Sequence, residues 1–111
     1  MNRFDKYLVV YVFSKFDDIS RFKNFINSYK NYPPGYPHKF LICFKLLDDS
    51  KLNLCRSIAS NITYDEFIDP VQENDFEFKT MERAIQKYND YIVLFLISHC
   101  CFEKKNWLKI I

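Results

Sequence analysis

The chain has 111 residues, of which 49% are apolar and 19% aromatic, enough for one core and too apolar for a disordered polymer. Its formal charge is only +2 at neutral pH, and acids and bases alternate without a basic stripe, so no nucleic-acid partner is expected. No apolar run reaches the length of a membrane span, and the stretch after the charged start from Met1 to Lys6 lacks a signal-peptide layout, so the expectation is a single cytoplasmic domain over residues 1–111 with no transmembrane segment.

The first element is a strand from Tyr7 to Phe13, a continuous apolar run of the kind buried on both faces of a parallel sheet. Asp17 or Asp18 can cap the helix that follows, whose stripe is Ile19, Phe22, Phe25, Ile26 and Tyr29. Pro33, Pro34, Gly35 and Pro37 end it. Phe40 to Leu47 is the second strand, completing a βαβ unit that should be right-handed. Leu52, Cys55, Ile58 and Ala59 suggest a short helix, and Thr63 to Ile68 a brief third strand stopped by Pro70. Asn74 or Asp75 can cap the next helix, with Glu77 placed for a capping box and Phe78, Met81, Ile85 and Tyr88 along one side. Tyr91 to Ile97 is the strongest strand signal. The expected fold class is α/β, a mostly parallel open sheet of four strands with helices on both faces. Tyr7 to Phe13, Phe40 to Leu47 and Tyr91 to Ile97 should form its buried centre.

Ligands of such sheets bind outside the carboxyl ends of the strands, so polar residues there are the candidates. Ser14 follows the first strand and can touch a base or ribose, or serve only as a turn residue. The turn after it has no glycine to let a backbone approach a pyrophosphate, which excludes a dinucleotide fingerprint or a phosphate loop. Lys45 interrupts an apolar strand and either snorkels from an edge or points into the crevice. Asp48 and Asp49 suit a turn as well as a ribose or metal. Ser98 and His99 follow the last strand, and a histidine there can ligate a metal or donate to a diphosphate. The acidic run Asp65, Glu66, Asp69, Glu73, Asp75 and Glu77 can supply a metal or sugar-hydroxyl contact, or serve in solvation and helix capping, the reading favoured here. Cys43, Cys55, Cys100 and Cys101 form no C-x-x-C pair and read as free thiols. With only His38 and His99 beside them, a zinc site is not expected.

The order of these pieces resembles the nucleotide-binding half of nucleotide-sugar glycosyltransferases with the GT-A fold. It is most similar to a bacterial group with an Asp-Ile-Gly-Ala-Tyr segment and a strand ending Phe-Leu-Asn-Ser-His-Ser. The matching residues are the helix from Arg21 to Lys30, Cys43-Phe44-Lys45, the block from Asp90 to Cys100, and Asn106-Trp107-Leu108. The segment Glu77-Phe78-Lys79-Thr80-Met81 takes the place of Asp-Ile-Gly-Ala-Tyr. What the resemblance implies is a truncated GT-A domain, an N-terminal nucleotide-sugar-binding half without the acceptor half, whose family reaction moves a sugar from a nucleotide-diphosphate donor to an acceptor hydroxyl. Manganese or magnesium serves the intact family through an Asp-x-Asp, but the matching positions are Ile97 and His99, so neither metal ligands nor catalytic residues are assigned. The implied donor crevice comprises Phe13, Ser14, Lys45, Glu77, Lys79, Ser98 and His99, and the isolated chain is expected not to transfer sugar. The alternative is a non-catalytic α/β module that associates with itself or another chain through an apolar C-terminal edge of Phe102, Trp107, Leu108, Ile110 and Ile111.

Overall fold

The computed structural model describes residues 6–97 and 100–108. Strands β1 (Lys6–Ser14), β2 (Lys39–Lys45), β3 (Asp65–Ile68) and β4 (Tyr91–Leu96) form one sheet in the order β3-β2-β1-β4. Every pairing in it is parallel. Helix α1 (Ile19–Asn31) joins β1 to β2, α2 (Asp49–Ile58) joins β2 to β3, and α3 (Glu77–Ala84) with a 3-10 turn (Ile85–Lys87) joins β3 to β4.

Successive strand residues point to opposite faces, and the two faces have separate cores. Tyr7, Val9, Tyr11 and Phe13 of β1, with Phe40, Ile42 and Phe44 of β2, pack against Phe22, Phe25 and Ile26 of α1 and Cys55 of α2. Tyr11 stacks on Phe25 with ring centroids 3.8 Å apart. On the other face Leu8, Val10, Val12, Leu41 and Cys43 meet Met81 and Ala84 of α3 and Tyr88 after it. Outward steps from β1 to β2 to β3 thus carry their helices on one face, and the return step to β4 carries its helix on the other, so all three crossovers share one hand. None of the helices among the described residues is long and apolar enough to cross a membrane.

Local chemistry explains most boundaries. Asp18, not Asp17, caps α1 by accepting from the Ser20 amide at 2.9 Å. Asp48 caps α2 by accepting from the Lys51 amide at 2.8 Å, so this acid is a helix cap. β2 stops at Lys45, short of the expected Leu47, because Leu46 has φ +60°, a left-handed backbone that cannot continue a strand. β3 begins at Asp65 rather than Thr63.

Larger expectations also need correction. The expected capping box of α3, from Asn74 to Glu77, is absent: Phe76 occupies the cap position and no side chain caps the helix, and Asp75, the other expected cap, pairs with Lys45 and Arg83 instead. β4 is also not part of a buried centre. It is the outermost strand, and Ile92, Phe95 and the following Ile97 are exposed. Its apolar run reads like that of β1, but the eight-residue α3 does not extend over the end of β4.

The C-terminal segment folds back on α1. Phe102 stacks on Trp107 with centroids 3.9 Å apart, and the Phe102 amide donates to the Ser28 hydroxyl at 3.0 Å. The Trp107 indole donates to the Tyr32 carbonyl at 2.7 Å, and the Asn106 and Leu108 amides bond the carbonyls of Pro33 and Pro34. Trp107 and Leu108 are therefore buried in the chain's own core rather than presented as an apolar edge. Ile110 and Ile111 lie outside the described residues.

Candidate functional site

At the carboxyl edge of β1, β2 and β4 a hollow of about 550 Å³ opens between the sheet and the start of α3. That is within the usual range for small-molecule sites. It lies where the chain, after stepping outward from β1, returns to β1's other side, the switch point at which such sheets hold ligands. Its floor is polar: Ser14 and Lys45 are register partners at the ends of β1 and β2. Its walls are Phe16, Phe76, Phe78, Met81, Phe95 and Ile97, and Asp17, Asn74, Asp75 and Glu77 complete the lining.

Lys45 carries the electrostatics. Alternation along β2 turns it toward the α3 face, and its side chain is 2% exposed. A buried ammonium needs counter-charge, and Lys45 has two: Asp69 at 3.2 Å and Asp75 in closer contact. Asp69 is completely buried and accepts further from Thr80 Oγ1, the Val71 amide, and Nε and Nη2 of Arg83. Arg83 also reaches Asp75 Oδ2 at 3.1 Å. Burial alone would raise the Asp69 carboxyl, but the hydrogen bonds from Arg83, Thr80, Val71 and Lys45 outweigh it and hold the group well below the usual carboxylate range. Asp75 is likewise lowered, by the bonds from Lys45 and then Arg83. Two cations and two carboxylates thus close a neutral knot that ties the ends of β2 and β3 to α3.

Beside it, the Asp17 carboxylate turns back to accept from the Ser14 amide at 2.9 Å and the Ser14 hydroxyl at 3.2 Å, fixing the turn after β1. Lys51 of α2 buttresses that turn from behind by donating to the carbonyls of Lys15 and Asp17.

The candidate residues divide. Ser14, Lys45 and Glu77 line the hollow together with Ile97. Phe13 faces the opposite way and packs against Phe22. Lys79 is exposed, pairs with Glu82 at 3.9 Å and is not part of the lining. Ser98 and His99 lie outside the described residues. Of the acidic run, Asp69 and Asp75 are ion-pair partners rather than solvated or capping acids, Glu66 pairs with Arg56, and Asp65 accepts from the Tyr88 hydroxyl. Thr80 and Arg83 were not among the candidates, and Asp69 stood there only as one of the acidic run, not as the partner of Lys45. The signal for Asp69 was Lys45 itself, since a lysine inside a buried strand requires an acid at the end of a neighbouring strand.

The residues present do not fit the metal that the glycosyltransferase resemblance implies. Ile97 offers no donor atom, the oxygens of Asp69 and Asp75 are taken by Lys45, Thr80 and Arg83, and no group of three His, Cys, Asp or Glu side chains able to hold a metal occurs among the described residues. The thiols of Cys43 and Cys55 are raised by burial to about 12 and about 11, so neither is a thiolate nucleophile at neutral pH. No family model, no curated protein and no solved structure matches the chain.

Proposed function

We propose that the chain is a glycosyltransferase-related nucleotide-binding domain whose hollow receives the nucleoside end of a nucleotide-sugar donor, and that by itself it transfers no sugar. The observation that supports this is the position of the hollow: a concave, aromatic-walled site at the switch point of an all-parallel sheet, with Ser14 and Lys45 at its floor. Transfer is not expected because the positions that would hold a metal against the diphosphate are Ile97 and His99, and much of the rate of such a reaction comes from holding donor and acceptor in line. The test is product formation from UDP-, GDP- and dTDP-sugars, with and without manganese. Turnover indistinguishable from a His99→Ala control is the expected result, and turnover above that control contradicts the reading.

A second reading, a non-catalytic module that pairs with another chain, is favoured by β4. Its six residues carry no charge, whereas the opposite edge strand, β3, carries Asp65 and Glu66. Exposed uncharged edge strands are templates for strand addition. In this reading the contact moves from the C-terminal cluster to β4. Light scattering should then report a mass above the monomer that Phe95→Lys lowers. A monomer at all concentrations removes this reading.

A further inference from the structure

We propose that Lys45 and Arg83 form a phosphate site, and that the Asp75 carboxylate occupies it in place of the phosphate. The site itself stands on the ion-pair knot, and only the identity of the molecule that bears the phosphate rests on the reading of the hollow as a donor site. The two acids of the knot are not equivalent. Asp69 directly follows β3, its side chain is completely buried, and its amide is tied to the Phe44 carbonyl at 3.0 Å. With Thr80, the Val71 amide, Lys45 and Arg83 all donating to it, Asp69 is a fixed part of the interior. Asp75 lies just before α3, its side chain is 26% exposed, and among the described residues its carboxylate meets only Lys45 and Arg83. Within the knot Asp69 balances one cation and Asp75 the other. Removing the Asp75 carboxylate therefore leaves a buried positive charge that calls for another anion. The donors it vacates suit a phosphate. Arg83 presents Nη1 to Asp75 Oδ2 at 3.1 Å and Nη2 to Oδ1 at 3.4 Å, and Lys45 Nζ meets the same Oδ1. A guanidinium fork across two oxygens, with an ammonium on one of them, is a geometry that recognises phosphate as readily as carboxylate. Lys45 and Asp75 both line the hollow, so the exchange is open to a ligand there. The N-terminus of α3, which no side chain caps, adds amides that favour an anion. Asp17 and Glu77 share the lining and disfavour a further anion, so phosphate binding is weak while Asp75 stays in place.

The experiment is titration calorimetry of the full chain with sodium pyrophosphate, in EDTA and at constant ionic strength, on wild type, Asp75→Ala and Glu73→Gln. Glu73 is exposed two residues before Asp75, so Glu73→Gln removes one negative charge without opening the knot. Asp75→Ala should bind pyrophosphate about tenfold tighter than wild type, the worth of one hydrogen bond to a charged group. Glu73→Gln should bind as wild type does. Equal binding by wild type and Asp75→Ala overturns the inference, and so does an equal gain in Glu73→Gln, which would mark a general charge effect. Should Asp75→Ala unfold in sodium chloride, pyrophosphate at the same ionic strength should restore its circular dichroism, and failure to do so is equally contrary. A second arm titrates Asp75→Ala with uridine, guanosine and thymidine and with their diphosphates. Diphosphates that bind tighter than pyrophosphate assign the phosphate to a nucleotide. Nucleoside binding without any gain for pyrophosphate overturns the inference and leaves the donor reading in place. A pyrophosphate gain with no added affinity from any nucleoside upholds the phosphate site and removes the donor reading.

Discussion

Asp69 is the residue on which the carboxyl edge of the sheet most depends. Removing it leaves Lys45 buried with a single acid and Arg83 without its two-point partner. Breaking a buried pair from one side costs about 3–5 kcal/mol, so Asp69→Ala should lower the unfolding free energy by that much, read as a lower urea midpoint. A double-mutant cycle with Lys45→Met should return a coupling of about 0.5–3 kcal/mol. Additive losses would show that the two do not act as a unit. The same residue sets an acid limit. Its native-state value is lowered below the unfolded value of about 3.9, so its contribution is complete above that pH and is lost as pH falls through the native value. Wild type should therefore lose stability more steeply than Asp69→Asn below about pH 4, and parallel losses would contradict the assignment. Lys45 was legible in the sequence as a charge within an apolar strand. Asp69 was not, because one acid in a run of six carries no mark of its burial until β3 is paired with β2.

At the scale of elements, the chain's single glycine decides how the C-terminal segment docks. Gly35 has φ +77°, and a Cβ there would lie 2.3 Å from Asn106 Oδ1 and 2.9 Å from Asn106 Cα. The side-chain oxygen can rotate away, but the backbone contact cannot be relieved without moving the segment. Gly35→Ala should cost about 1–2 kcal/mol for the left-handed backbone alone and should loosen Trp107 from the Tyr32 carbonyl. Trp107 is the only tryptophan, so the expected readout is a red shift of the emission maximum. An unchanged maximum and an unchanged Tm would contradict the docking. β1 was legible from its unbroken apolar run and α1 because stripe and cap agreed, with Phe22, Phe25 and Ile26 fully in the core, whereas α2 rested on its stripe alone because its cap, Asp48, read as a turn residue. The place of β4 was not legible. An uninterrupted apolar run is the same in a central strand and in an edge strand whose covering helix is short, and only the sheet order separates the two. The docking of Trp107 was hidden for a related reason, since an apolar cluster looks alike whether it meets its own core or another chain.

At the scale of the whole molecule, the all-parallel order β3-β2-β1-β4 brings the ends of β1 and β2, the residue after β4 and the start of α3 to one hollow. The α/β class and the parallel sheet were legible from continuous apolar strands alternating with amphipathic helices. Within the site, Ser14 and Lys45 were legible from strand-end geometry, whereas Phe16, Phe76 and Phe95 gained meaning only when the hollow showed which rings stay uncovered. A second recess, at the amino edge of the sheet, is lined by Tyr29, His38 and Tyr64. There the His38 Nδ1–H donates to the Tyr36 carbonyl and Nε2 lies 2.7 Å from the Tyr29 hydroxyl, so burial, which lowers the pKa of the ring, leaves a neutral imidazole between two satisfied partners. The two recesses lie at opposite ends of the strands, which makes ligand placement a direct discriminator. The decisive measurement is an amide shift map of the labelled chain titrated with uridine, guanosine, thymidine and the corresponding nucleotide sugars. The account predicts saturable shifts centred on Ser14, Lys45, Asp75, Glu77 and Phe95, with Tyr29, His38 and Tyr64 unmoved. Shifts confined to the amino-edge recess, or none with any member of the panel, would contradict it.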